Sequence, residues 1–170
     1  MKNLSYIDLT QQWYQRKGHT EHYRYAKHED GPFTRPIKPL AESRLVMISS
    51  AGIEIVLDDG PDPVPFKGTN IGAKEKAEVF AIPSDTPKEK LRYVTGAHNR
   101  RESDMLDIDA FFPVTRLREL VAEGVIGDLA PNHLRMRPSY SQRKTRELDA
   151  PEVLRLCREQ AVDVALCVPI

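Results

Sequence analysis

A chain of 170 residues is long enough for one domain with a real core, or for one domain carrying a loosely packed arm. Its 25 basic residues balance 25 acidic ones, which removes the broad electrostatic argument for nucleic acid or an anionic membrane as the main partner. No stretch approaches the ~20 apolar residues of a membrane span, and the start from Met1 to Asp8 has no signal-peptide core. Cys157 and Cys167 do not make a disulfide framework. The expectation is a cytoplasmic protein whose two cysteines are small buried hydrophobes.

Residues Asp8 to about Lys17 fit a short helix with Leu9, Trp13 and Tyr14 on one side. From Gly18 to Pro39 the chain turns polar and aromatic, and Pro32, Pro36 and Pro39 oppose regular structure. This divides the chain into an N-terminal helix and irregular arm over 1–42 and an α/β domain over 43–170. Arg44 to Ile48 reads as a buried first strand ending in Ser49-Ser50-Ala51-Gly52. Glu54 to Asp59 continues as a short strand, and Glu78 to Pro83 and Leu91 to Gly96 look like two more.

Pro113 precedes a helix in which Leu117, Leu120 and Val121 stand at helical spacing, with Gly124 placed as the left-handed residue past its end. A loop rich in Arg and Pro follows. Asp149 and Pro151 then open a second helix whose Val153, Leu154 and Cys157 face inward. The run from Val162 to Ile170 reads as a largely buried strand with nothing after it. The pattern predicts a layered α/β domain, a mainly parallel sheet with flanking helices, incomplete at its C-terminus and forming the N-terminal part of a longer protein. Ligands of such sheets sit past the carboxyl ends of the strands, so the expected location of the chemistry is the loop that this last strand would feed.

Several constellations compete with simpler accounts. His19-x2-His22 with His28 matches no strong metal template, and Lys17, Arg24 and Lys27 crowd any cation; a solvated polar arm is the better account. No metal is expected. His98, Asp104, Asp107 and Asp109 can bind a divalent metal or hold the amine end of a small zwitterion. If Asp107 to Asp109 is extended, its two carboxylates share a face, and one pKa rises unless a cation or donor separates them. Composition alone favours capping aspartates with salt bridges to Arg100 and Arg101.

Ser49-Ser50-Ala51-Gly52 can offer backbone N–H groups to an anion, but the glycines of a dinucleotide fingerprint and a Gly-x-Ser-x-Gly elbow are both absent. The basic stretch from Arg135 to Arg146 can touch RNA; a subunit contact or solvated loop accounts for it better, given zero net charge.

Lys38-Pro39-Leu40, Leu45 to Gly52, Ala81-Ile82-Pro83, Asp107 to Pro113, Arg116 to Leu120 and Glu123-Gly124-x-Ile126-Gly127 resemble one family in order and spacing. It is the selenoprotein B group: B subunits of glycine, betaine and sarcosine reductases and the related D-proline reductase subunit. The resemblance covers most of the chain from Lys38 to Ile170, and collinearity carries it more than any single motif. In many relatives a segment like Val164 to Ile170 is followed directly by selenocysteine. Its UGA codon is read as a stop by routine translation, which matches a chain ending on a core strand.

The resemblance implies reductive cleavage of a C–N bond in a small amino acid or amine. In the well-known relatives a pyruvoyl group on a partner subunit forms a Schiff base with the substrate, a selenolate attacks the α-carbon and a thiol resolves the adduct, so the resemblance implies a possible pyruvoyl-containing partner. The nucleophile is then expected just after Ile170, the catalytic residues of this chain are unknown, and the chain itself carries no cofactor. His98, Asp107 and Asp109 are expected to line the substrate side of the cleft. The expected setting is an oligomer with a small amino acid or amine as substrate, without nucleic acid or membrane. The alternative from another class is a non-catalytic binding or scaffold module of the same fold.

Overall fold

The computed structural model describes residues 6–19, 31, 33–56, 76–94, 107–137 and 141–170. Contact density divides the chain into two units, Met1–Phe33 and Thr34–Ile170. In the first, α1 (Tyr6–Arg16) sets Trp13 and Tyr14 edge to face with ring centroids 5.0 Å apart. Lys17 Nζ lies 5.6 Å from the Trp13 ring centroid. No helix among the described residues is long and apolar enough to cross a membrane.

In the second unit, the apolar run Leu45 to Ile48 forms the middle of β1 (Arg44–Ser49), which pairs along both of its edges. Leu45 is in register with Leu129 of β5 (Asp128–Leu129) and with Val164 of β7 (Val164–Val168). Ile48 is in register with Leu134 of β6 (Asn132–Met136) and with Cys167 of β7. Hence β5 and β6 are successive pieces of one interrupted strand on one side of β1, and β7 lies on the other; all three run parallel to β1. β3 (Val79–Pro83) adds to β6 in the antiparallel sense. β2 (Ile53–Ile55) and β4 (Leu91–Tyr93) form a separate antiparallel ribbon. The architecture is a layered α/β fold with a mainly parallel sheet and flanking helices, as the alternation of strands and helices predicts.

Side chains alternate across the sheet, and each face builds its own core. On one face Leu45 and Met47 join Ile53, Ile82, Leu91, Phe111, Phe112, Val114 and Leu117. Here α2 (Val114–Ala122) packs Leu120 and Val121 at the margin, at the predicted helical spacing. Gly124 takes φ +72 past the helix end and returns its N–H to Val121 O at 3.0 Å. On the other face Val46, Ala130 and Leu134 meet Val153, Leu156 and Cys157 of α4 (Ala150–Glu159). A Cβ on Gly127 would fall 2.8 Å from Ala41 O and 2.9 Å from Ser43 N, so only glycine lets this backbone lie against the start of β1.

Four expectations are corrected. The stretch after Gly127 contains β5 and β6 rather than being all loop, and β6 supplies the central pairing of β1 and β3. Polar His133 and charged Arg135 disguise it, although they alternate with Leu134 and Met136 as a strand requires. The second helix does not open at Asp149: α3 (Gln142–Lys144), capped by Ser141 Oγ accepting from the Lys144 N–H, runs through a π turn over Thr145–Asp149 into α4. Asp149 is 1% exposed and grips Lys144 Nζ at 2.8 and 3.0 Å, five residues away, a spacing that the wide turn brings face to face. Leu154 points outward at 49% exposure, and Leu156 takes its expected inward place. Finally, no residue of β7 is buried and Cys167 is exposed, because β7 pairs with β1 alone among the described residues.

β7 therefore shows an apolar, uncharged edge of the kind that recruits a further strand. The 170-residue chain on its own is expected to self-associate, and Leu166→Lys, placed at an exposed edge position, is expected to return it to a monomer in light scattering. A monodisperse wild-type monomer that melts cooperatively would overturn this.

His133 closes the gap between β5 and β6. The buried Met47 N–H donates to its Nδ1 at 3.2 Å, which puts the proton on Nε2, a buried atom with no hydrogen-bond partner among the described residues. Burial, reinforced by the nearby Arg118 charge, lowers its pKa to about 4. The unfolded chain, with an ordinary histidine near 6.5, binds the proton first. Stability from this group is thus present above about pH 6.5 and is lost as pH falls toward 4, by about 3 kcal/mol in all. His133→Leu is expected to flatten the melting temperature across that window, in thermal unfolding at stepped pH.

Candidate functional site

β1, β6 and β7 end at one edge of the sheet, where open α/β folds bind their ligands. The turn after β1 holds the end of β7. The Ser50 N–H donates to Val168 O at 3.3 Å, and the Ile170 N–H donates to Ser50 Oγ at 2.9 Å. Ser49 Oγ accepts from the Ala51 N–H and lies 3.1 Å from Val168 O and 3.2 Å from Phe111 O, so its single proton serves one carbonyl at a time. The Ser50 and Ala51 N–H groups are thus committed within the protein, and this turn is not the open anion cradle that its composition suggests. The Phe111 contact brings the turn from Asp107 to Phe112 to the same edge.

Within that turn Ile108–Ala110 is a single 3-10 turn, not an extended segment. Asp107 caps it by accepting from the Asp109 N–H at 3.1 Å. Asp109, whose side chain is 8% exposed, accepts from the Thr115 N–H at the start of α2 at 2.9 Å. The two carboxylates still converge, because Lys88 Nζ sits 3.3 Å from Asp107 and 2.8 Å from Asp109. Lys88, about twenty residues upstream, is the separating cation that the sequence argument required without naming. Burial alone would raise the Asp109 carboxyl, but hydrogen bonds from Lys88 and Thr115 outweigh it and hold the group below its ordinary range. The same pair raises the Lys88 ammonium. His98, Asp104, Arg100 and Arg101 lie outside the described residues, as do His22 and His28. Among the described residues no cluster of three or more His, Cys, Asp or Glu side chains is placed to hold a metal.

The same edge carries a charged row absent from the sequence-based site. Arg135, 6% exposed on β6, donates from Nη2 to Glu54 Oε1 at 2.7 Å, and its guanidinium carbon lies 4.3 Å from the Phe80 ring centroid. Burial pulls this guanidinium below its ordinary range, with the Glu54 charge opposing. Beyond it, Lys144 and Asp149 form a buried pair with Glu78, whose Oε2 is 3.6 Å from Lys144 Nζ and whose N–H donates to Asp149 Oδ1 at 3.0 Å. The basic stretch is therefore neither a solvated loop nor an RNA-facing patch at these residues: Arg135 and Lys144 point inward to carboxylates.

The sequence is similar to D-proline reductase subunit gamma of Acetoanaerobium sticklandii, with 27% identity over 137 residues, covering 79% of this chain and 52% of that protein. The chain thus spans about half the length of the curated relative it matches. No protein-family model matches the sequence, and no solved structure matches it.

The two aspartates differ in what they hold. Asp109→Ala removes a buried cap and ion-pair partner and is expected to cost about 1–2 kcal/mol, or roughly 2–4 °C of melting temperature per kcal/mol. Asp107→Asn keeps the capping oxygen on an exposed side chain and is expected to leave the melting temperature within about 1 °C of wild type. Paired calorimetry separates them.

Proposed function

We propose that this polypeptide is the N-terminal part of a selenocysteine-dependent reductase subunit that cleaves a C–N bond of a small amino acid or amine, of the glycine, betaine, sarcosine or D-proline type. Similarity to a D-proline reductase subunit supports a reductase-related role and favours the D-proline end of that range. The relative's description as a subunit supports an assembly of several chains, here taken as a cytoplasmic oligomer.

The observation that carries the proposal is the anchoring of Val168 and Ile170 by Ser50 at the carboxyl end of β1. A residue joined to Ile170 leaves from the edge where parallel sheets place their ligands. A selenol there has a lower pKa than the ~8.5 of a free thiol, so at neutral pH it is already the selenolate. Attack on the carbon bearing the amine forms a C–Se bond as C–N breaks, and the amine departs with the bonding pair and takes a proton. A thiol then attacks selenium, the carbon leaves with the C–Se pair and is protonated, and a selenenylsulfide holds the two-electron oxidation. A pyruvoyl group on a partner subunit would supply electron withdrawal at the amine nitrogen. In this chain Ser49 and Ser50 position the strand end. His98, Asp107 and Asp109 are proposed to line the substrate side, Asp109 as the buried support and Asp107 as the exposed member.

The test begins with the nucleotide sequence after the Ile170 codon and ends with the protein isolated from its native host. The expected result is an in-frame UGA, a product heavier than 19.3 kDa that contains selenium, and fast iodoacetamide labelling at about pH 5.5. Cys167 is exposed to the reagent, so the labelling is run at that low pH, where a selenol is still ionised. A UAA or UAG codon and a selenium-free protein would leave the non-catalytic binding or scaffold module instead.

A further inference from the structure

We infer that Arg135, Glu54 and Phe80 form a cradle for a zwitterionic amino acid, the guanidinium taking its carboxylate, Glu54 its ammonium and the Phe80 face its apolar carbon frame. The inference rests on the functional reading above and adds to it the parts of the substrate that are recognised and the residues that recognise them.

Sheet register supplies the first argument. Phe80 pairs with Arg135, Arg135 with Ser49, and Ser49 with Val168, so one row of residues crosses the sheet at its carboxyl end. Two strand spacings, roughly 10 Å, separate the backbone of Arg135 from that of Val168. A small amino acid beside Arg135 would therefore lie at the same edge of the sheet as the end of β7.

Unfilled hydrogen-bonding capacity supplies the second. A guanidinium has five N–H donors in a rigid fork. Among the described residues, Arg135 gives a hydrogen bond to one acceptor, Glu54 Oε1, from Nη2. A single monodentate contact leaves the remaining fork for a second carboxylate, the geometry in which arginine binds such groups best. Its position over the Phe80 ring at 4.3 Å keeps the fork in a fixed plane.

Charge balance supplies the third. Glu54 is 43% exposed at its side chain while Arg135 is 7% exposed, so the carboxylate is the accessible half of the pair. A lone anion would meet its repulsion and a lone cation would meet Arg135, whereas a zwitterion matches both. Phe80, 39% exposed, offers an apolar surface next to them.

Three ring compounds dissect the cradle by calorimetric titration of the protein isolated from its native host: D-proline with both charges, cyclopentanecarboxylate with the carboxylate alone, and pyrrolidine with the amine alone. Arg135→Gln is expected to weaken D-proline and cyclopentanecarboxylate at least tenfold and not to weaken pyrrolidine, whose repulsion by the guanidinium it removes. Glu54→Gln, which keeps a hydrogen-bond acceptor for Arg135, is expected to weaken D-proline and pyrrolidine at least tenfold and not to weaken cyclopentanecarboxylate. Equal loss of all three ligands, unchanged binding in Glu54→Gln, or no D-proline binding to the wild-type protein overturns the cradle. If the selenium-containing protein turns over D-proline and both variants match its KM, the functional reading stands and the cradle fails. If no C–N compound is reduced but the charge-selective pattern appears, the cradle stands and the reductase reading fails.

Discussion

β1 is hydrogen-bonded on both edges and covered on both faces, and that confinement sets the position of every group considered above. Val46 and Met47 are fully buried on opposite faces of the strand. A shift of β1 by one residue would exchange its two faces and send Ser49 into the wrong core. The strand ends at Ser49 with three neighbours in fixed register, so Arg135, Ser49 and Val168 are aligned by backbone pairing before any side chain acts. His133 belongs to the same constraint. It supplies an acceptor to Met47 where the neighbouring strand is interrupted, and an unpaired buried N–H in its place would cost about 1–3 kcal/mol.

Charges buried around β3 and β6 act on this frame from outside. Lys144, Asp149 and Glu78 are each less than one-tenth exposed. Burying such ions is costly unless they pair closely, so the net gain in stability from the group is small while the penalty for removing one partner is large. What the group fixes is location. Asp149 takes both the Lys144 ammonium and the Glu78 N–H, which ties the start of α4 to the start of β3. The π turn is the local means: an ordinary helix faces residues four apart, whereas Lys144 and Asp149 are five apart.

How much of this was legible follows from where the information lies. β1, β3, β7 and α2 announce themselves through apolar runs and helical spacing, which are local properties. β6 is hidden in the sequence because its buried side chains include polar His133 and charged Arg135, residue types that usually face solvent. Asp107 and Asp109 were visible as an acidic cluster, and composition favoured their capping roles. Their cation was not visible, since Lys88 reaches them only through tertiary folding. Cys167 was misplaced for a related reason: Val-Ala-Leu-Cys-Val describes a strand suited to burial on both faces, and the sequence does not say whether neighbours cover it.

β7 is paired along one edge and, among the described residues, open along the other. This leaves its outer backbone edge and apolar side chains exposed, Leu166 at 37% and Ile170 at 42%. Protein sheets ordinarily guard such an edge with charge, proline or a bulge, and the stretch from Val164 to Val168 has none of these. The same strand is held at its far end by Ser50 and, through the register of β1, lies two strands from Arg135. A strand or helix laid against β7 would remove Leu166 and Ile170 from water and pair the outer backbone edge, and the anchoring by Ser50 fixes where along the sheet that cover would lie.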